Sequence, residues 1–541
     1  MKLLFWKHFR LSWPRGIFFT LIACMILAAV ALAINSSPLH AQAAPPSLKP
    51  ATRPNIVFII SDDHAYQAVS AYGDSRNLIQ TPNIDEIGKE GMRFDRCLVT
   101  NSVCGPARAT IFTGKYSHLN GFYNNTNDVF DGSQVTFPKL LQQAGYQTAI
   151  IGKWHLVSDP TGFDFWQILP GQGIYYNPML DSNGVTTKFP GYVTDVLCDH
   201  ALDWLDHRDT SKPFFLELAN KAPHRTWDPP LDDLDFDQDR KYDPPSTLFD
   251  DYSGRGLAEH DQKMEIANVL NDADLKIKPP SHMTLAQLQV WNAYYDPRNA
   301  AFKAANLTGK DLVLWKYNRY MHDYCACVKG VDDSVGRVLK YLDDHHLSDN
   351  TIVVYSSDQG FFLGEHGWMD KRWIFEESLR APLLIRWPGV IKPGSVNKNI
   401  VSNLDFAETF LDAAGVSIPP EMQGSSMVPL LEGKAVPDWR TSFYYHYYEY
   451  PSPHHVRPHY GIVTDRYKLV HFYRDADYWE LFDLLKDPDE MTSVYNQPQY
   501  AQTVTTLKSE LKRLEVQLKV PAKDPPLATG KAPVPDAGDD H

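Results

Sequence analysis

The strongest constraint on this 541-residue chain is a set of continuous apolar, β-rich runs, each ending in polar or charged residues. Asn55–Ile60 leads into Ser61-Asp62-Asp63-His64, and Tyr146–Ile151 into Gly152-Lys153-Trp154-His155. Pro213–Leu218 leads toward Asn220-Lys221-Ala222-Pro223-His224-Arg225, and Thr351–Ser356 into Ser357-Asp358-Gln359-Gly360. An uninterrupted apolar run predicts a strand buried on both faces, as in a parallel sheet. Helical stretches lie between the runs, among them Phe137–Ala144 and the stripe Tyr320, Tyr324, Val328, Val331, Val335, Val338, Leu339 and Leu342. The alternation predicts an α/β fold with a large, mostly parallel sheet flanked by helices. Open sheets of this kind bind ligands beyond their C-terminal strand ends, so chemistry is expected at these exits.

Asp62 and Asp63 repel one another at the first exit. A hard, oxygen-preferring cation is the simplest reason for such a pair, with a solvated turn as the alternative. Asp358 and Gln359 add a carboxylate and an amide oxygen to the same acidic edge. Lys153 could neutralise an oxygen of a bound anion, His155 could bond a nucleophile's hydroxyl, and His224 could protonate a leaving alkoxide. Trp227, just beyond, could support a ring, and His224 as a mere cap of the strand end is the alternative.

Asn101–Gly121 (NSVCGPARATIFTGKYSHLNG) sets Cys104 ahead of Pro106, a residue suited to a first helical turn, with Gly114 as the stop signal. At a helix start, backbone N–H groups, the macrodipole and Arg108 would lower a thiol pKa and hold a tetrahedral anion. A cysteine packed as a small hydrophobe is the alternative.

The formal charge of −14 argues against nucleic acid as a partner and requires local cations to draw an anionic substrate. Residues 1–43, with Lys2, Lys7, Arg10 and Arg15 ahead of an apolar run and Ala41-Gln42-Ala43 as a cleavage site, read as a signal peptide or an uncleaved membrane anchor. Either implies export, to a periplasm or to the outside. Residues 44–53 form a linker and 54–435 the large domain. Residues 436–520, with aromatic alternating runs and a helix over Val504–Leu518, read as a smaller antiparallel α+β subdomain, followed by a disordered tail over 521–541. Between its strands, a loop rich in His and Arg offers Arg457 and His459 as sugar or anion contacts, with a turn bearing exposed side chains as the equal alternative. Residues Asp228–Thr308 read as an insertion that shapes the pocket. The pairing of Cys97, Cys198, Cys325 and Cys327 is open.

Cys104-Gly105-Pro106-Ala107-Arg108, followed by Ala-Thr and Thr113-Gly114, resembles the signature of the type I sulfatases, although Ala107 stands where Ser is frequent. Five motifs in the family's order carry the resemblance over about Pro54 to Leu518. It implies the alkaline-phosphatase-like fold and conversion of Cys104 to formylglycine by a formylglycine-generating or radical maturation enzyme. It also implies a calcium ion on Asp62, Asp63, residue 104, Asp358 and Gln359, where the family more often has Asn. Arg108, Lys153, His155, His224 and Lys371 match the family's catalytic positions, Lys371 as a second cationic contact to sulfate. GPARATIFTGKYSHLNG, APHR and DQGFFLGEHGW look most like the carbohydrate sulfatases acting on N-acetylglucosamine 6-sulfate or related glycans. A phosphate or phosphonate monoester hydrolase on the same scaffold and an unmodified sulfated-glycan binding protein are the alternatives.

Overall fold

The computed structural model describes residues 53–474 and 476–526. The N-terminal segment 1–43 and most of the linker and the tail lie outside the described residues. At the centre of a ten-stranded sheet, β1 (Asn55–Ser61) pairs in parallel with both β3 (Phe214–Asn220) and β4 (Thr351–Ser357). β2 (Gln147–Lys153) lies parallel to β3 on the far side. The sheet is mixed, because the strand over Leu383–Arg386 joins β4 antiparallel. β1, β3 and β4 are buried along their whole length, as their unbroken apolar runs require.

Alternate residues of β1 face two cores. Val57 and Ile59 pack into a layer with the helix α3 (Gly309–Asp344), and Ile56, Phe58 and Ile60 into one with α1 (Cys104–Thr113) and α4 (Phe406–Ala413). The predicted stripe from Tyr320 to Leu342 lies in the first layer. Each fully buried side chain there contributes roughly 1.5–3 kcal/mol. The 21-residue α2 (Leu285–Ala305), inside the insertion, was not anticipated. It buries only Trp291, Tyr295 and Asn299, too thin a stripe to show periodicity, although its capping box of Thr284 and Gln287 is legible in sequence.

The C-terminal part is a four-stranded antiparallel sheet over β5 (Ser442–Tyr447), β6 (His459–Thr464), β7 (Tyr467–Phe472) and β8 (Tyr478–Asp483), followed by α5 (Ala501–Gln517). Phe443, Val463 and Phe482 from this sheet share one core with Leu98, Val103, Trp368 and Trp373 of the larger part. The first residues of the tail run against it, with Asp524 Oδ2 at 3.6 Å from His446 Nε2 and the Pro525 carbonyl accepting from Arg474 at 3.0 Å. All five described cysteines are free and buried.

Register determines the active rim. Ser61 pairs with Asn220 and with Ser357, and Gly152 with Ala219, so all four exits open at one level. Gly152 has φ +116°, and a Cβ there would lie 1.9 Å from the Ala219 carbonyl oxygen. We expect Gly152→Ala to cost about 2 kcal/mol or more, read as a lower urea midpoint at constant slope.

Glu217 lies on β3 between Phe58 and Ile150, which belong to the apolar layer beneath α1. Burial raises its carboxyl to about 8, opposed by Arg108. Such an acid stays protonated in the folded chain while the unfolded chain ionises near 4.5, so stability is lost as pH rises between these values. Glu217→Gln is therefore expected to raise the urea midpoint more at pH ~9 than at pH ~5, and equal shifts at both would contradict this.

Candidate active site

The site grows from the four strand exits. Asp62 and Asp63 leave β1, and Asp358 and Gln359 leave β4, all essentially buried. One oxygen from each of Asp62, Asp63 and Asp358 can be chosen so that all three lie within 4.8 Å of one another. Asp62, Cys104 Sγ and His224 form a second such group, which brings the start of α1 to the same point. The Asp63 backbone sits at φ +65° and is held there by Tyr324 of α3, whose hydroxyl donates to the Asp63 carbonyl at 2.9 Å and accepts from Ala65 N–H at 2.8 Å.

Three cations balance the acids. Lys153, at the end of β2, pairs with Asp62 and with the Gln172 side-chain oxygen. Lys371 Nζ lies 2.7 Å from Asp63 Oδ2. Arg108 Nε donates to Asp358 Oδ2 at 3.1 Å and Nη1 to the Lys153 carbonyl at 2.7 Å, linking α1, β2 and β4. Burial raises Asp63 to about 6, with Asp62 adding and Lys371 opposing. Burial and Asp62 push Asp358 up to about 7 against Arg108. Burial also works against ionised Asp62, but Lys153 first, with Arg108 and Lys371, holds it well below the usual carboxylate range.

These donors fit a hard cation. Asp62 Oδ1 and Gln359 Oε1 are buried without a hydrogen-bond partner. Two of the three carboxylates are held in a range that a nearby positive charge would relieve. Gln359 Nε2 donates to Asp63 Oδ1 at 2.6 Å and Asp358 Oδ1 at 2.7 Å, and turning this amide over would present Oε1 to the same centre. An oxygen-only set of three carboxylates and an amide is the chemistry calcium prefers.

Cys104 is the first residue of the ten-residue α1, and Gly114 closes the helix in the left-handed region with its N–H on the Thr110 carbonyl. The expected lowering of the thiol pKa is corrected. Burial, then the Asp62 carboxylate, pushes it up, outweighing Lys153 and Lys371. As a thiol, residue 104 is a poor nucleophile. His155 and His224 are both driven well below the ordinary histidine range by burial and then by Lys153, so their imidazoles are neutral. His224 Nδ1 donates to the Arg225 carbonyl at 2.7 Å, which leaves Nε2 on the side of Asp63, 3.7 Å from its Oδ2.

An open cleft of about 1200 Å³ leads to Asp63, His224 and Lys371. Its walls include Gln172, Lys221, Asp370, Arg372 and His454, and the insertion supplies Asn271, Ala273, Lys278, Pro279, Pro280 and His282. Asp370, in none of the sequence motifs singled out above, has Oδ2 2.7 Å from His454 Nε2 and pairs through Oδ1 with Arg372. The proposed sugar contacts are corrected. Trp227 is fully buried with its ring 4.5 Å from that of Tyr320. His459 lies inside the C-terminal core, where Nε2 accepts from Ile374 N–H at 3.1 Å. Arg457 Nε donates to Asp261 at 3.0 Å, outside the cleft lining. From that loop it is Pro453 and His454 that reach the cleft.

A family model described as Sulfatase matches residues 54–416, and one described as N-sulphoglucosamine sulphohydrolase, C-terminal, matches residues 364–517. An N-acetylglucosamine-6-O-sulfatase of Bacteroides thetaiotaomicron is 48% identical over 500 residues, 88% of this chain and 89% of that protein. The human N-acetylglucosamine-6-sulfatase is 29% identical over 415 residues, 72% of this chain and 66% of the human one. A solved structure of a protein in complex with its substrate D-glucosamine-2-N,6-O-disulfate matches with a TM-score of 0.85 at 48% identity, covering 86% of this chain and 98% of the other. With a family model covering most of its length and the acidic rim, cations and helix start in place, the chain belongs to the sulfatases, sulfuric ester hydrolases of the alkaline-phosphatase-like fold.

Proposed function

We propose that the chain hydrolyses the 6-O-sulfate ester of an N-substituted glucosamine, with residue 104 as formylglycine and a calcium ion on Asp62, Asp63, Asp358 and Gln359. The observation that carries this reading is the meeting of three carboxylates with residue 104 at one rim, in a chain 48% identical to an N-acetylglucosamine-6-O-sulfatase.

Calcium, when bound, supplies positive charge to the sulfate oxygens and offsets the carboxylates. Oxidation of the Cys104 side chain to a hydrated aldehyde supplies a nucleophilic oxygen and a second hydroxyl through which sulfate is released. The remaining work falls to the chain's own groups. Lys371 and Lys153 stabilise negative charge on sulfate at the rim. Arg108, fixed between Asp358 and the Lys153 carbonyl, holds the start of α1 in register with β2 and β4. His155, neutral, takes a proton from the residue 104 hydroxyl. His224 delivers a proton from Nε2 to the departing sugar oxygen. The neutral ring carries its proton on Nδ1, and an anionic ester lying against it raises its proton affinity, so that Nε2 takes up from solvent the proton that it then delivers. Maturation by a formylglycine-generating or radical enzyme, and export directed by residues 1–43, belong to the same proposal.

Peptide mass spectrometry on protein made in its own host is expected to find residue 104 as the aldehyde, and only an unmodified thiol would defeat the proposal. Cys104→Ala is expected to lower kcat on N-acetylglucosamine 6-sulfate by at least ~10³-fold with the fold intact by circular dichroism. A matched phosphate ester cleaved faster than the sulfate would place the activity in another class.

Calcium chelation should abolish turnover and lower the melting temperature, because Asp62, Asp63 and Asp358 then repel one another with only Lys153, Lys371 and Arg108 to offset them. Added calcium should restore both, and full activity after exhaustive chelation would count against the metal site.

A further inference from the structure

The inner end of the cleft is taken by the sulfate chemistry, whereas its outer wall has no role in that scheme. The wall is the insertion segment 271–282, and buried ion pairs fasten it to the rim beside His224. Arg225 Nε and Nη2 meet Asp274 Oδ1 and Oδ2 at 2.7 and 2.5 Å, and Lys276 Nζ lies 3.0 Å from Asp228 Oδ1. Asp274 and Lys276 are each 1% exposed. At the other end the His282 carbonyl accepts from Asn177 Nδ2 at 2.8 Å, just ahead of the capped start of α2. Pro279 and Pro280 remove further backbone freedom between the two anchors.

Lys278 and His282 are exposed side chains on this clamped stretch, and both line the cleft. The two outer carboxylates of the lining are already engaged, Asp228 by Lys276 and Asp370 by Arg372. The Lys278 ammonium has no hydrogen-bond or ion-pair partner among the described residues. A cation with no internal counter-charge, carried on an anchored backbone in the lining of a cleft in a chain of formal charge −14, calls for an anionic group on the ligand.

We propose that Lys278, with His282 beside it, is a specificity-determining contact for a second anionic group on the saccharide, a sulfamate on the same sugar or a carboxylate on the adjoining one. The inference rests on the sulfatase reading above and adds which substrates that site favours. The contact lies away from the reacting sulfur, so it strengthens ground state and transition state alike and shows in KM with kcat unchanged.

The test compares the mature full chain with Lys278→Ala and Lys278→Arg on three substrates. These are glucosamine-2-N,6-O-disulfate, N-acetylglucosamine 6-sulfate, and a disaccharide joining N-acetylglucosamine 6-sulfate to a uronic acid. Lys278→Ala is expected to raise KM about fivefold on a substrate carrying the recognised anion, and Lys278→Arg to restore it. Both constants on N-acetylglucosamine 6-sulfate should stay unchanged. A rise confined to the disulfate identifies the sulfamate, and one confined to the disaccharide identifies the carboxylate. Equal changes on all three substrates, or none on any, would overturn the assignment while leaving the sulfatase reading standing. A mature wild-type chain inactive on all three would remove that reading, and this inference with it.

Discussion

The mutual repulsion of Asp62, Asp63 and Asp358 governs the rest of the site. Unit charges about 4 Å apart interact by on the order of 4 kcal/mol in a partly screened protein environment. No local preference would gather three carboxylates in a buried volume. The parallel register does so, because Ser61, Asn220 and Ser357 align and deliver each exit to one level. Lys153, Lys371 and Arg108 then arrive from β2, from the loop after β4 and from α1, so charge balance couples segments distant in sequence. Arg108 ties the helix to the sheet, because its bonds to Asp358 and to the Lys153 carbonyl make the position of residue 104 depend on two strands at once.

Layers outside this centre also reach into it. The stripe of α3 looks like ordinary core packing, yet Tyr324 within it fixes the left-handed Asp63 backbone. The C-terminal sheet shares a core with the large part and sends His454 to the cleft, where it meets Asp370. The cleft lining therefore comes from widely separated stretches of chain, whereas the buried acids and their cations gather at the strand exits, the start of α1 and Lys371.

The central strands and their polar exits were legible because burial on both faces leaves an unmistakable apolar run, with boundaries shifted by a residue or two. Lys153 belongs to its strand, since Gly152 allows pairing to continue through Ala219. Lys153, His155 and His224 could be proposed because they follow those exits directly, Cys104 and Arg108 because they open a helix, and Lys371 only through the family resemblance. The cleft walls could not, because a side chain's access depends on packing that no local pattern encodes. Trp227 follows His224 closely in sequence but turns into the core against Tyr320, whereas Arg372 looks unremarkable in sequence and lines the cleft, and the His/Arg-rich loop reaches it through His454 rather than Arg457 or His459. The sign of the Cys104 shift was misjudged for a related reason. A helix start favours a thiolate, but full burial beside Asp62 outweighs it.

Every residue of α1 is buried, and Cys104 itself is only 1% exposed. An enzyme that rewrites a side chain needs to surround it, and here the surroundings are the protein's own interior. Any catalyst that acts on position 104 must therefore meet the chain before α1 docks, while the segment around Pro106 and Arg108 is still an accessible peptide. If residue 104 is converted as proposed above, activation and folding are ordered in time, and a chain that folds first is shut out of conversion by the burial of α1.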